Sequence, residues 1–188
     1  MNRLRKAIMT LGLVGLLSSP LLAEEAKKEQ PKSSTSLVEQ CKTHKPYVPK
    51  PEIKAKYDAL EQKYNTDCHE KKQCQESIQE LEKIIQQDPK FADAYHRLGT
   101  AFIETKEYEK AIPYLEKAVQ LDACNAEIYR NLKIAHAIVG VTKKDKNLIN
   151  LAISEAEKVC QLSPGTKLCE EAQITIKNLK PYLNQQSL

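Results

Sequence analysis

The chain has 188 residues, with 29 Lys and Arg against 25 Asp and Glu, a formal net charge of +4. That length suits one domain with additions at its ends. Its five glycines form no phosphate-cradling loop, and no G-x-S-x-G, H-E-x-x-H, C-x-x-C or C-x-x-C-H motif occurs, so the sequence offers no enzyme chemistry and implies no cofactor.

Residues 1–23 separate from the rest. Arg3, Arg5 and Lys6 form a basic start, residues 7–17 are a short apolar run, and Ala23 closes a stretch of small residues. That is the layout of a secretory signal peptide. The run is well short of the ~20 apolar residues that cross a bilayer, so cleavage near Ala23 is expected, with export to a periplasm or beyond and no integral span in the mature chain. Removing these residues leaves 26 basic against 25 acidic side chains, a net charge of +1. A near-neutral chain lacks the basic face that nucleic acid requires. Residues 24–51 follow, with four prolines, a serine-rich patch and no apolar period. Such composition buries too little surface to offset ordering entropy and predicts a flexible leader, with Leu37 and Val38 touching the domain and an extended stretch around Tyr47.

From Ile53 onward the pattern is helical. Tyr57, Leu60 and Tyr64 make a first stripe, and a second helix carries Ser77, Leu81 and Ile84 before Pro89. The sequence at 77–89 aligns with that at 111–123, one 34-residue period later. The central copy is the clearest. Tyr95, Leu98 and Phe102 stand at i, i+3 and i+7 on one helix, and Ala111, Ile112, Leu115, Ala118 and Val119 form the stripe of the next. Gly99 and Ala111 are the small residues at which two antiparallel helices cross closely. Pro113 lies past the first turn of its helix, where it removes a hydrogen bond and predicts a mild kink near Glu109 or a start one residue late. A third copy begins with Ile128, Tyr129, Leu132 and Ala135, and its second half (Ala152, Ala156, Val159) arrives seven residues late. Seven residues is close to two turns, so the faces stay in phase and the helices around residues 140–145 should be longer. A last amphipathic helix spans 166–184, with Leu168, Ala172, Ile176, Leu179 and Leu183 on one side. Seven helices are expected.

Tyr95, Leu98, Gly99, Phe102, Ala111, Leu115 and Ala118 resemble the tetratricopeptide repeat in spacing and in the placing of small residues, with Ala123 in place of the usual proline. Glu61 and Lys133 replace the glycine in the flanking copies. The resemblance implies an all-α, right-handed α-solenoid. Its helix hairpins number about three (53–89, 92–125 and 126–164 within a domain at 52–188), and the helix at 166–184 caps it. It also implies a non-enzymatic scaffold that binds a protein or peptide, because in this family the first helix of each hairpin lines a concave groove. By that correspondence the lining residues are Asp93, His96, Thr100, Ile103 and Glu104 from the second copy, with Glu127, Arg130, Asn131, Ile134 and Ile138 from the third. His136 falls where the motif has a core aromatic and is read as a packed, hydrogen-bonded histidine.

Six cysteines in an exported chain argue for disulfides. Cys68 and Cys74 flank a turn inside a hairpin, whereas Cys41, Cys124, Cys160 and Cys169 sit at the other end of the stack. A 14-residue helix is about 20 Å long and a disulfide needs Cα atoms within about 7 Å, so Cys68 should pair with Cys74. Three arrangements of the other four remain. Of these the preferred is Cys160–Cys169, clamping the last helix, with Cys41–Cys124, tying the leader across the stack. Metal binding through Cys68, His69 and Cys74 is the sharper alternative, but the spacing is not that of a zinc site. The leading functional expectation is an adaptor outside the cytoplasm, with envelope assembly as its setting. The competing ones are a structural solenoid that self-associates into an oligomer and a Cys/His metal carrier.

Overall fold

Apolar stripes of period 3.6 cannot be hidden by one hairpin, and stacking is what hides them here. A computed structural model describes residues 36–64 and 71–184. Among the described residues there are eight helices and no strand: α1 (Leu37–Lys42), α2 (Pro51–Tyr64), α3 (Lys71–Gln87), α4 (Ala92–Glu104), α5 (Tyr108–Leu121), α6 (Ala126–Lys143), α7 (Lys146–Leu162) and α8 (Lys167–Asn184). The expected signal segment, Cys68 and His69 lie outside the described residues. From α2 onward each helix packs against the next, and α4–α6 and α6–α8 also touch. This is a series of hairpins whose first helices share one face.

The central hairpin buries Leu98, Ala101 and Phe102 of α4 against Ala111, Leu115 and Ala118 of α5. Gly99 is required there, since a Cβ added to it would stand 2.5 Å from Leu115 Cγ. Phe102 stacks on Tyr114 at 5.4 Å between ring centroids. α5 runs unbroken through Pro113 from Tyr108, so the late start foreseen from that proline does not occur. One core joins α2 to α6, and smaller clusters centred on Val159 and on Ile149 carry it on to α8.

The third pair is the long one: α6 has 18 residues against 13 in α4, and α7 has 17 against 14 in α5. The seven-residue insertion therefore extends both helices past the neighbouring hairpin instead of forming a loop. At that extension Gly140 lets α6 approach α7, with the Ile149 backbone nitrogen 3.0 Å from where a Cβ would stand.

Lysines close both hairpins. Lys106 and Lys144 have φ of 63° and 56°. Asp145 N donates to the Gly140 carbonyl at 2.8 Å, as Glu107 N does to that of Phe102 at 2.7 Å. This is the wrapped helix end that normally takes glycine. A side chain in this conformation costs about 1 kcal/mol, so Lys144→Gly should stabilise the chain by roughly 0.5–1 kcal/mol in urea unfolding.

The leader departs from the sequence reading. Instead of remaining unstructured up to residue 51, it folds into α1, which raises the helix count from seven to eight; Ser36 caps α1 by accepting from Glu39 N. Beyond α1 the chain is extended and lies on the junctions between hairpins. Tyr47 donates its hydroxyl hydrogen to Asp88 Oδ1 at 3.0 Å, and His44 Nε2 sits 3.1 Å from Asp122 Oδ1. Asp88 and Asp122 occupy the same place in successive repeats, so one repeated carboxylate holds two points of the strap. Cys41 is bonded to Cys124 with Cα atoms 5.4 Å apart, and α1 rests on α7. The strap thus spans the stack from its third pair back to its first. Cys160 and Cys169 form a second bridge at 4.5 Å between Cα atoms, joining α7 to α8. Cys74 is not a free thiol, but the Cys68–Cys74 pairing itself lies outside the described residues.

Candidate functional site

The face shared by α2, α4, α6 and α8 carries polar contacts that link one hairpin to the next. Three of the residues expected in the groove meet at its centre. Asn131 on α6 is buried, and its amide Nδ2 donates to Thr100 Oγ1 at 2.8 Å and to His96 Nε2 at 2.9 Å, both on α4. Thr100 passes its own hydroxyl hydrogen to the His96 carbonyl at 2.9 Å. Both amide hydrogens are used, so Asn131 sets the register of two neighbouring hairpins and has no donor left for a partner.

Burial, and then the positive charge of Arg97, push the His96 pKa down from its usual 6.5 to about 4. At neutral pH the ring is uncharged, as an acceptor nitrogen facing Asn131 demands. The unfolded chain takes up this proton first as pH falls. Stability associated with His96 is therefore complete above about pH 6.5 and is lost progressively toward pH 4. A shift of this size corresponds to at most about 3 kcal/mol, and the half-buried ring reduces that to roughly 1–2 kcal/mol. His96→Gln should flatten the fall in urea-unfolding free energy between pH 7 and 4.5 by that amount relative to wild type.

Charges on either side of this centre are paired within the chain. Arg97 Nε meets Glu61 Oε1 on α2 at 2.8 Å, and its Nη1 lies 3.9 Å from Glu104 Oε1. Arg130 reaches Glu171 on α8 at 3.6 Å and Glu127 at 4.0 Å. Lys133 is buried, with Nζ 3.2 Å from Thr175 Oγ1 on α8. Burial first and the Arg130 charge second lower its pKa. Ionic and hydrogen-bonded links thus run from each first helix to the next. Glu61 and Lys133, the two residues standing where the repeat has glycine, are both used in them.

Of the remaining groove candidates, Asp93, Glu104, Glu127 and Ile138 are exposed, while Ile103, Arg130 and Ile134 are half-buried. Partial loss of water around its carboxyl, and the Asp122 charge second, raise the Asp93 pKa. The sequence reading missed Arg97, Glu171 and Thr175. Their partners stand on a different helix, and the single available signal was opposite charge roughly one repeat apart. Away from this face, His136 is buried with Nδ1 2.9 Å from Glu155 Oε1. His44, Asp122 and Cys124 form a close trio, but the Cys124 sulfur is bonded to Cys41 and offers no thiolate. No helix among the described residues is long and apolar enough to cross a membrane.

The fold defines the class, an α-solenoid of helix hairpins. Residues 92–123 match the tetratricopeptide-repeat family, and the helix hairpins of the described residues have the fold that such repeats build. Its fold is similar to the first tetratricopeptide domain of Spaghetti (RPAP3) bound to the HSP90 peptide SRMEEVD (16% identity, TM-score 0.59, 73% of this chain and 98% of that one). It is similar also to the second such domain of human RPAP3 in complex with the HSP70 peptide SGPTIEEVD (19%, 0.55, 68% and 94%). A third is the Yersinia enterocolitica type III secretion chaperone SycD in complex with a peptide of the translocator YopD (11%, 0.57, 71% and 95%). No curated protein shows significant similarity to the sequence.

Proposed function

We propose that this protein is a non-enzymatic adaptor that holds a protein or peptide segment on the face shared by its first helices, and that it works outside the cytoplasm. The observation that carries the first part is the internal bracing of that face by Glu61–Arg97, His96–Asn131 and Arg130–Glu171. Pre-ordered side chains lose little entropy when a ligand arrives, and that favours gripping. The solved structures with similar folds hold peptides. A photo-crosslinking amino acid at Ile134 should yield an adduct with a cellular protein, and the same group at exposed Gln120 on α5 should not. Adducts from Gln120 alone would refute the assignment of the face.

Export is supported by the leader sequence and by two bridges that an oxidising compartment would maintain. Assembly of envelope complexes is part of the same proposal, as one role open to an exported peptide-binding solenoid. Mass spectrometry of the protein purified from its own cell should find a chain beginning at Glu24. A chain beginning at Met1 with free thiols would contradict export.

A further inference from the structure

The seven inserted residues build something the rest of the stack does not need. Because α6 outruns α4, its C-terminal turns have no first helix on one side and are flanked by the α4–α5 turn, while α8 flanks them on the other. Two depressions result, of about 280 Å³ and 710 Å³, and they adjoin at Ile138 and Thr142. The larger lies between α6 and α8, with Ala137, Ile138 and Val141 facing Leu179, Pro181 and Tyr182. Ile138 and Tyr182 keep 37% and 40% of their surface exposed. Large apolar side chains left exposed in one depression, where α6 begins to outrun α4 and faces α8, mark a contact surface. The extension is firm: Ile149, Ala152 and Leu179 are buried beneath it, with Ala137 and Val141 packed against them.

Charge specifies what fits. The two depressions are lined by Lys106, Lys110, Lys143 and Lys177 against Glu107 and Glu109. Glu107 is paired with Lys110, and Glu109 lies 2.9 Å from Lys143. That leaves Lys106 on one side and Lys177 on the other with no ion pair among the described residues. Farther along the same face the arginines are already held by Glu61, Glu104, Glu127 and Glu171. Lys106 and Lys177 therefore offer a ligand two exposed cations beside an apolar floor.

We infer that this cleft is the principal docking site of the adaptor, and that its ligand is a peptide segment with large apolar side chains flanked by carboxylates. The inference rests on the peptide-binding reading above and moves the main contact from the middle of the face to its inserted end. Apolar side chains fill the α6–α8 depression, and the flanking carboxylates meet Lys106 and Lys177, which adds direction and salt dependence.

The test is a selection from a random 12-residue display library on the immobilised full chain, followed by fluorescence anisotropy with the recovered peptides. The result expected is net-negative peptides with at least two large apolar residues. Their Kd should rise at least tenfold with Ile138→Asp and with the double variant Lys106→Glu/Lys177→Glu, and stay within twofold with Arg130→Ala. The lysine variant changes exposed side chains alone, so it reads the site even where Ile138→Asp disturbs folding. Peptides that depend on Arg130 and Ile134 and ignore both cleft variants would overturn the inference and leave the adaptor reading intact. Recovery of basic peptides would overturn it as well. A library that yields no binder would defeat both readings.

Discussion

Replacing Cys41 and Cys124 by serine should lower the free energy of unfolding by about 3–4 kcal/mol. The bridge closes a loop with a sequence separation of 83. Tying a chain at that spacing removes denatured-state entropy worth roughly 4–5 kcal/mol in the chain-entropy treatment, and measured effects usually fall short of it. Part of the loss comes from the strap. Without its tether, the contacts at Asp122 and Asp88 must order residues 43–50 unaided. The Cys160–Cys169 bridge, with a separation of 9, should be worth less, roughly 2–3 kcal/mol. Urea unfolding of the oxidised wild type and the two double-serine variants gives the order directly. If the second bridge mattered more than the first, the strap would not be bracing the stack.

His136→Leu alone should cost about 3–5 kcal/mol, and His136→Leu with Glu155→Leu much less. Both side chains are almost fully buried between α6 and α7. The Glu155 carboxylate is held at 2.9 Å by His136 Nδ1, while the exposed Glu116 of α5 lies 4.0 Å from Nε2. Burial raises the Glu155 pKa, and the His136 hydrogen bond and charge oppose that rise. Removing the histidine strands a carboxylate without solvent or partner, which is the costly half of a broken buried pair. Removing both leaves an apolar gap that leucines fill. A double-mutant cycle by urea unfolding should return a coupling of at least 2 kcal/mol. Additive losses would show that the pair is merely adjacent.

How much of this was legible in the sequence depends on the range of the interactions. Periodicity within one hairpin is local, so Leu98, Phe102, Leu115 and their neighbours announced the helices and their buried faces. The insertion was visible as a delay in the third copy, and its phase followed from the helical repeat. The fate of His136 was legible in the same way, since its place in the motif is a core place. Glu61 and Lys133 were read as departures from a glycine, and their use could not be read. Each reaches a helix more than thirty residues away, and one-dimensional spacing does not say which side chains face each other. The strap was legible in part, since the preferred Cys41–Cys124 pairing ties it to the stack as expected, while α1 and the carboxylate contacts were hidden for a related reason. Residues 36–50 have no apolar period, and they are ordered by Asp88 and Asp122 on the hairpin junctions and by one disulfide. The cleft beside α6 depends on how far two long helices overhang a short pair, which is a property of the assembled stack.

Amide hydrogen exchange on the full chain, with and without the tightest peptide from the display library, tests the central claim most directly. If the hairpins stack in series and hold a ligand along their first helices, exchange should slow in α4, α6 and α8, most of all across residues 137–143. The strap and helices α3, α5 and α7 should change little. Protection confined to α3, α5 and α7 would place the ligand on the opposite face and contradict the account.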